Sequence, residues 1–228
     1  MLSELKQQVL EANLALVKHG LVMFTFGNAS GIDRGEGLVV IKPSGVPYEK
    51  LRPEHMVVTD MHGKVVEGSL KPSSDLATHI FLYREFPAIG GVAHTHSEHA
   101  TAWAQAGKSI PSLGTTHADY FYGEIPVTDE LSDEDIVGDY VHNTGAAIVR
   151  RFAGVDPMSL PAVLVAGHAP FTWGKTPLEA AEHSALLELV ARLAYRTLTI
   201  NAECREIPRA LQDLHYFRKH GEKSSYGQ

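Results

Sequence analysis

Three histidines at the ends of two apolar runs carry the clearest chemical signal in this sequence. His94 and His96 follow the run 89–93, and His168 follows the run 162–167. Side chains alternate between faces along a strand, so histidines one residue apart point the same way and can converge on one ion. Three neutral imidazoles with an open fourth position are typical of a catalytic zinc, whereas structural zinc is usually enclosed by four protein ligands. The pattern predicts a zinc site, which Mn²⁺ or Co²⁺ could also occupy.

Two short loops have the composition of anion-binding sites. The segments 42–45 (Lys-Pro-Ser-Gly) and 71–74 (Lys-Pro-Ser-Ser) each place a lysine and a proline before small residues, which leave backbone amides accessible. The second loop also precedes a helix, whose first amides and dipole favour negative charge. Either loop alone is more typical of an ordinary turn, and 73–75 of an ordinary helix cap. Two similar loops in one chain favour phosphate binding.

A third loop only partly matches a phosphate-binding pattern. Residues 169–176 fit a relaxed nucleotide phosphate loop, but Pro170, Phe171 and Trp173 add bulk where small residues and open amides are needed. Nucleotide hydrolysis is therefore disfavoured. Thr176, followed by Pro177, fits better as the N-cap of a long helix.

The composition excludes several classes of partner. The 228 residues include 20 Lys and Arg against 27 Asp and Glu, a net charge of -7, and contain no basic run. Nucleic acids and anionic membranes bind clustered basic faces, so neither is expected. The charged N-terminal segment is unlike a signal peptide, and no run approaches the roughly 20 apolar residues of a membrane span. With a single cysteine, Cys204, these features predict a cytoplasmic protein.

Hydrophobic periodicity divides the chain into alternating helices and strands without a linker or repeat, which predicts one α/β domain over residues 1–228. Helices are expected over 3–18, from the 73–75 cap to about 86, from 97, from 132, and from 177 to about 198. Strands are expected at 22–26, 38–41, 56–59, 64–67, 89–93, 125–127 and 162–167, with a hairpin turn at 60–63. The polar tail, 215–228, is expected to fray when alone.

Taken together, the motifs resemble the class II aldolase/epimerase family from the first helix to the last residue, and within it the epimerases that act on L-ribulose 5-phosphate. The resemblance rests on segments 42–45, 71–75, 94–97, 115–120 and 226–228 and on His168. It implies an α/β/α sandwich around a central, largely antiparallel β-sheet. It also implies a cyclic homotetramer with sites at subunit interfaces, to which the tail 215–228 contributes.

The resemblance implies a role for each matching residue. Zinc ligands map onto His94, His96 and His168, with Asp75 as a further ligand or an acid/base. Contacts to the substrate and its phosphate map onto Gly27, Asn28, Lys42, Ser44, Gly45, Ser73 and Ser74. The acid/base pair maps onto Asp119 and Tyr226, which reach the metal of a neighbouring subunit, and His215 lies near the site.

The implied activity is zinc-dependent inversion of C4, which interconverts L-ribulose 5-phosphate and D-xylulose 5-phosphate by retro-aldol cleavage and re-addition. An alternative is an aldolase that releases both fragments, similar to L-fuculose-phosphate aldolases, which carry glutamate where this chain has Asp75. A hydrolytic zinc enzyme is disfavoured because the chain has no His-Glu-x-x-His helix. A non-catalytic protein that binds metal or sugar phosphate is the remaining alternative.

Overall fold

A computed structural model of the chain describes residues 2–221, within which eight α-helices and seven β-strands form an α/β fold. The helices are α1 (Ser3–Lys18), α2 (Leu76–Glu85), α3 (Glu98–Gln105), α4 (Thr115–Ala118), α5 (Asp133–Val137), α6 (Tyr140–Arg151), α7 (Pro177–Ile200) and α8 (Arg209–His220). The strands are β1 (Asn28–Asp33), β2 (Leu38–Ile41), β3 (Val57–Asp60), β4 (Val65–Glu67), β5 (Gly91–His94), β6 (Ala162–Leu164) and β7 (Pro170–Gly174). Among these residues no helix is both long and apolar enough to cross a bilayer.

The seven strands form one sheet in the order β4-β3-β2-β1-β5-β7-β6, and every neighbouring pair is antiparallel. Alternation along the strands sends side chains to two helical layers. Val40 and Val58 pack with Val9 of α1 on one face. Val39 and Val92 pack on the other face, in the main core cluster that also contains residues of α2 and α6. The predicted α/β/α sandwich with an antiparallel central sheet is confirmed.

The central strand β1 differs from the sequence prediction, which placed a strand at residues 22–26. That segment forms turns, and its bulky side chains Met23, Phe24 and Phe26 are 68%, 80% and 60% exposed. The strand begins instead at Asn28, and a Cβ at Gly31 would lie 2.7 Å from Pro177 Cγ and 2.8 Å from Leu5 Cδ1. Because α1 and α7 cross this strand closely, it requires small residues. A strand with such a weak β-propensity pattern escapes detection by sequence pattern.

The tail expected to fray when alone begins inside a helix. Residues 215–220 belong to α8, and residues 222–228 lie outside the described residues. Gln212 and Tyr216 are the buried residues of this otherwise polar helix. The Gln212 amide donates to the Phe121 carbonyl at 3.1 Å, and its oxygen accepts from Ser112 Oγ at 2.7 Å. These hydrogen bonds, together with the packing of the Tyr216 and Phe217 rings against Tyr122 at 4.8 and 5.3 Å, hold this helix in place.

The turn predicted at 60–63 and the helix cap predicted at Thr176 agree with the structure, whereas α2 begins after Asp75 without a side-chain capping bond. Gly63, with φ of +80°, completes the turn between β3 and β4. The Thr176 side chain accepts a hydrogen bond from the Glu179 amide at 3.1 Å and begins α7. Such features depend on neighbouring residues only, which is why the sequence pattern predicts them well.

The glycine pair before the two histidines is required by a backbone crossing. A Cβ at Gly91 would lie 2.4 Å from the Thr176 carbonyl oxygen and 2.5 Å from Pro177 Cα. We expect Gly91→Ala to lower the free energy of unfolding by about 1–3 kcal/mol, because backbone atoms cannot move aside as a flexible side chain would. Urea denaturation checks this. Gly114→Ala is the matched control, since nothing lies within 4 Å of its Cβ position; an equal loss in both variants would contradict the crossing argument.

Candidate metal and anion-binding site

The three histidines singled out by their spacing converge in the structure. One ring nitrogen from each of His94, His96 and His168 lies within 4.8 Å of the other two. The ring centroids are 4.9 Å apart for His94 and His96, 4.9 Å for His94 and His168, and 5.1 Å for His96 and His168. Within residues 2–221, this is the one group of histidine, cysteine or carboxylate side chains clustered closely enough to hold an ion.

The third histidine, His168, lies in a loop, which the sequence pattern did not indicate. His94 is the last residue of β5, and His96 follows it by two residues. The strand before His168 ends at Leu164, so His168 lies in the connection to β7, after Gly167 with φ of +66°. The Val165 amide donates to the Ala169 carbonyl at 3.1 Å and closes this turn around His168. The apolar run 162–167 therefore identified His168, although only its first three residues form a strand.

The protonation states of the three rings suit metal binding. The Nδ1 of His94 lies 2.9 Å from the Pro170 carbonyl oxygen, which can only accept, so Nδ1 carries the hydrogen and Nε2 keeps its lone pair. The ring also stacks on Phe171 at 4.2 Å. Burial lowers the pKa of His94 and of His96, and burial together with the two neighbouring imidazoles lowers the pKa of His168 to about 4. Neutral imidazole is the form that ligates metal.

An unpaired polar atom supports the same fit. Nδ1 of His168 is buried without a hydrogen-bond partner among the described residues. Buried polar groups normally have hydrogen-bond partners, because a buried group without a hydrogen bond costs about 1–3 kcal/mol. Three neutral nitrogens with open lone pairs are a donor set for a divalent transition metal such as zinc. The residues present therefore fit the metal that the sequence predicted.

Asp75 lies beside the histidine cluster but is not one of its members. Its Oδ2 accepts a hydrogen bond from Asn28 Nδ2 at 2.6 Å and a longer one from Ser73 Oγ at 3.4 Å. Burial alone would raise the pKa of Asp75, but the imidazoles of His94 and His79 and the Asn28 bond outweigh it and lower that pKa. Helix α2 begins directly after Asp75, whose side chain makes no capping bond. The carboxylate therefore does not cap the helix and can interact with a ligand in the cavity.

The two loops with anion-binding composition lie side by side. Pro43 and Pro72 form an antiparallel bridge, the Ser44 amide donates to the Lys71 carbonyl at 2.9 Å, and the Ser73 amide donates to Lys42 O at 3.0 Å. The amides of Ser44 and Ser73, which the loop composition predicted to be accessible to an anion, are therefore used in the pairing of the loops. Ser44, Gly45, Ser73 and Ser74 line the cavity wall.

Lys42 is a buried cation at this wall. Only 2% of the residue is exposed, its Nζ donates to the Thr25 carbonyl at 3.0 Å, and the same atom lies 4.7 Å from the centre of the Tyr48 ring. Burial lowers the pKa of Lys42 to about 8, although the Asp75 charge opposes the shift. A lysine held this way can neutralise an incoming anion, and an anion beside it would restore a higher pKa.

A single cavity of about 340 Å³ joins the histidine cluster to the paired loops. Its lining includes every residue to which the family resemblance assigned a metal, substrate or phosphate contact: Gly27, Asn28, Lys42, Ser44, Gly45, Ser73, Ser74, Asp75, His94, His96 and His168. Thr25 and Phe26 also line it and were not anticipated. The sequence signal for Phe26 was present but misassigned, because an aromatic residue before a glycine was interpreted as part of a strand.

Gly27 is fixed at the cavity by conformation and by space. Its φ is +73°, and a Cβ there would lie 2.6 Å from Val22 Cγ1 and 3.0 Å from the His94 carbonyl oxygen. The Tyr48 hydroxyl lies 2.9 Å from the Gly27 carbonyl oxygen and 2.8 Å from that of Phe26, and can donate to either. The segment therefore turns sharply against β5 and places Asn28 beside Asp75.

The remaining predicted residues do not line this cavity. Asp119 is held elsewhere by α8, where its Oδ1 accepts from His215 Nδ1 at 3.0 Å and from Arg218 Nη2 at 3.1 Å. Asp119 and His215 are thus brought together with each other but not with the histidine cluster. Arg218 was not anticipated, although its position three residues after His215 places it on the same helix face. Tyr226 lies outside the described residues.

Comparisons with known proteins agree with this geometry. Residues 7–195 match the model of the class II aldolase and adducin N-terminal domain. An L-fuculose 1-phosphate aldolase matches with a TM-score of 0.81 and 24% identity, over 99% of this chain and 98% of its own. The YgbL protein of Klebsiella pneumoniae, a candidate aldolase/epimerase/decarboxylase, matches with a TM-score of 0.73 and 24% identity, over 92% and 97%. The L-fuculose-1-phosphate aldolase of Thermus thermophilus gives 0.68 and 24%, over 88% and 98%. At these identities the structures establish a shared fold.

Proposed function

The chain belongs to the class II aldolase and adducin N-terminal domain family, and from this premise we propose that it is a zinc-dependent epimerase. It interconverts L-ribulose 5-phosphate and D-xylulose 5-phosphate by breaking and re-forming the bond between C3 and C4. Its sites lie at the interfaces of a cyclic homotetramer in the cytoplasm.

One observation carries the proposal. A cluster of three neutral imidazoles and a buried lysine with serine hydroxyls line the same cavity of about 340 Å³. A sugar phosphate has both groups that such a cavity selects, namely a phosphate at one end and adjacent carbonyl and hydroxyl oxygens toward the other. A divalent ion held by the histidines supplies Lewis acidity, which stabilises the negative charge that develops as the carbon–carbon bond breaks.

The protein's own residues account for the rest of the cycle. Lys42 and the hydroxyl groups of Ser44 and Ser73 bind the phosphate, so the C4–C5 fragment, glycolaldehyde phosphate, stays in place after the bond breaks. The other fragment, dihydroxyacetone, retains C1 to C3. Rotation of the bound aldehyde presents its opposite face, and re-addition then inverts C4. Binding energy at the phosphate is thereby used to keep a cleaved substrate from escaping.

Two acid/base groups are required, because the proton on the C4 oxygen leaves from one face and returns on the other. Asp119 and Tyr226 take these roles at the site of a neighbouring subunit. The position of Asp119, away from the cavity of its own chain and oriented by His215 and Arg218, supports this assignment. Asp75 acts at the metal as a ligand or as a further acid/base.

Aldol cleavage with release of both fragments is the second candidate. It is favoured by the match to an L-fuculose 1-phosphate aldolase over 99% of this chain. Asp75 argues for the epimerase, since the aldolases that the sequence resembles carry glutamate there.

An NMR time course with L-ribulose 5-phosphate separates the candidates. The zinc-loaded protein should convert it to D-xylulose 5-phosphate, and in D₂O the product should carry no deuterium at C4, because the C4–H bond is never broken. Free glycolaldehyde phosphate and dihydroxyacetone would instead identify the aldolase. If neither appears, while L-fuculose 1-phosphate is also left intact, the chain is a binding protein and the proposal fails.

Phosphate binding should weaken as the pH rises through the pKa of Lys42. That pKa is about 8, so the lysine is mostly protonated at pH 7 and mostly neutral at pH 9, whereas a phosphate monoester stays dianionic. We expect the Kd for glycolaldehyde phosphate, measured calorimetrically, to increase about tenfold between pH 7.5 and pH 9.5. Lys42→Met should bind weakly at both pH values. An affinity of the unaltered protein that stays constant over this range would remove Lys42 from the phosphate site.

A further inference from the structure

His79 is a fully buried polar residue that neither the sequence motifs nor the mechanism above use. It has 0% exposure and lies on α2, one helical turn after Asp75. Residues four apart share a helix face, and the His79 amide donates to the Asp75 carbonyl at 3.1 Å. The two side chains therefore face the sheet from neighbouring turns of one helix.

Both side chains are tied to the same strand. Asp75 accepts from Asn28 Nδ2 at 2.6 Å, and Nδ1 of His79 lies 2.7 Å from Ser30 Oγ. Asn28 and Ser30 are two residues apart on β1 and so share one face of the sheet. The distance spanned by two residues along a strand is similar to the rise of one helical turn. The two contacts thus form parallel polar links between β1 and the start of α2.

The hydrogen bonds around Ser30 select the tautomer of His79. Ser30 Oγ lies 2.8 Å from the Tyr83 hydroxyl, which also receives a hydrogen bond from the Val92 amide. If Tyr83 donates to Ser30 and Ser30 donates to His79 Nδ1, both hydroxyl hydrogens are used and only the ring hydrogen on Nε2 is left to find an acceptor. The reverse direction leaves the Tyr83 hydrogen unused inside the core. The first direction is favoured, and it leaves the ring hydrogen on Nε2.

That nitrogen is buried without a partner among the described residues. Burial lowers the pKa of His79 to about 3, so the ring is neutral, and the charge of Asp75 acts on it. A neutral ring with its N–H directed into the core beside a carboxylate is a fixed donor. Asn28 Oδ1, the amide oxygen next to the Asp75 bond, is also buried and unpaired. An N–H on Nε2 is complementary to the acceptors Asn28 Oδ1 and Asp75.

We propose that His79, held as the Nε2–H tautomer by Ser30 and Tyr83, is the positioning residue that fixes the Asp75 carboxylate in the cavity. It rests on the role of Asp75 in the proposed function. The side chain of His79 does not line the cavity itself. It acts through Asp75, in the way that outer partners of metal-site groups set their orientation.

Two variants whose side-chain amides extend to different lengths test the proposal. The Gln side chain can place an N–H near the position of Nε2, whereas the Asn side chain reaches only as far as Nδ1 and retains at most the Ser30 contact. We expect His79→Gln to keep most of kcat and His79→Asn to lose about 10–100-fold with KM little changed. If the Ser30 contact alone mattered, this order would be reversed. Equal kcat values in two variants with equal Tm would overturn the proposal.

Two NMR measurements on the intact protein do not depend on turnover. The ¹⁵N shifts of the His79 ring should show the hydrogen on Nε2, and the ¹³Cγ shift of Asp75 should move in His79→Asn but not in His79→Gln. A hydrogen on Nδ1, or an unmoved Asp75 shift in both variants, would overturn the proposal even in an active enzyme. Absence of epimerase activity in the unaltered protein, by contrast, would count against the proposed function and leave these shifts to decide the role of His79.

Discussion

His96→Ala is expected to abolish stoichiometric metal binding and to lower kcat by about a thousandfold or more. His96 supplies one of only three clustered nitrogens, and no fourth protein ligand lies in the cluster among the described residues to replace it. Loss of Lewis-acid stabilisation is worth several kcal/mol at the transition state, and about 4 kcal/mol corresponds to a factor of a thousand. Metal content by elemental analysis and turnover of L-ribulose 5-phosphate are the two measurements.

His62→Ala is the matched control for this variant. His62 is an exposed residue of the turn between β3 and β4, outside the cavity. It should retain both metal and turnover. Full metal occupancy together with full activity in His96→Ala would show that the histidine cluster is not the metal site.

Asp119→Asn should lower kcat by about 10²–10⁴-fold while metal content and Tm stay near those of the unaltered protein. The amide is nearly the same shape as the carboxylate but cannot exchange a proton, so the loss measures acid/base catalysis. Asn can still accept from Arg218, which bonds Asp119 at 3.1 Å, so the anchoring of α8 should persist. Loss of metal in this variant would instead indicate a structural defect.

Mixing subunits tests where Asp119 acts. If each site combines the histidines of one subunit with Asp119 of its neighbour, oligomers assembled from His96→Ala and Asp119→Asn chains contain some intact sites. Such mixtures should recover activity that neither parent has. Tyr226→Phe is the companion variant for the second acid/base group, and it should retain metal while epimerisation is reduced. Co-assembled mixtures that remain inactive would refute the shared site.

The candidate site was predictable from sequence where the signal was local. The two-residue spacing of His94 and His96 after an apolar run predicts that they point the same way, and in the structure their side chains converge. The Lys-Pro-Ser composition of the loops at 42 and 71 predicted anion binding by each loop, and residues of both loops line the cavity. In each case the informative residues are neighbours along the chain, so periodicity and turn chemistry are sufficient.

Features set by distant contacts were not predictable. Strand β1 depends on the close passage of α1 and α7 over Gly31, which no local propensity records. The pairing of Pro43 with Pro72 and the link from Ser30 to His79 join residues far apart in sequence. Helix α8 depends on bonds from Gln212 to Phe121 and Ser112. Tertiary context overrides local preference at all of these positions.

The two ends of the cavity come from separate stretches of chain. The paired loops at 42–45 and 71–74 form one end, whereas the histidines stand on the strand ending at 94, on the residues just after it, and on the turn at 168. Under the proposed function, this separation assigns recognition of the anion and cleavage of the carbon–carbon bond to different segments. Substitutions at Ser44 or Gly45 would change the anion that is accepted without altering a histidine. Such an arrangement would allow related proteins to act on different substrates by the same reaction.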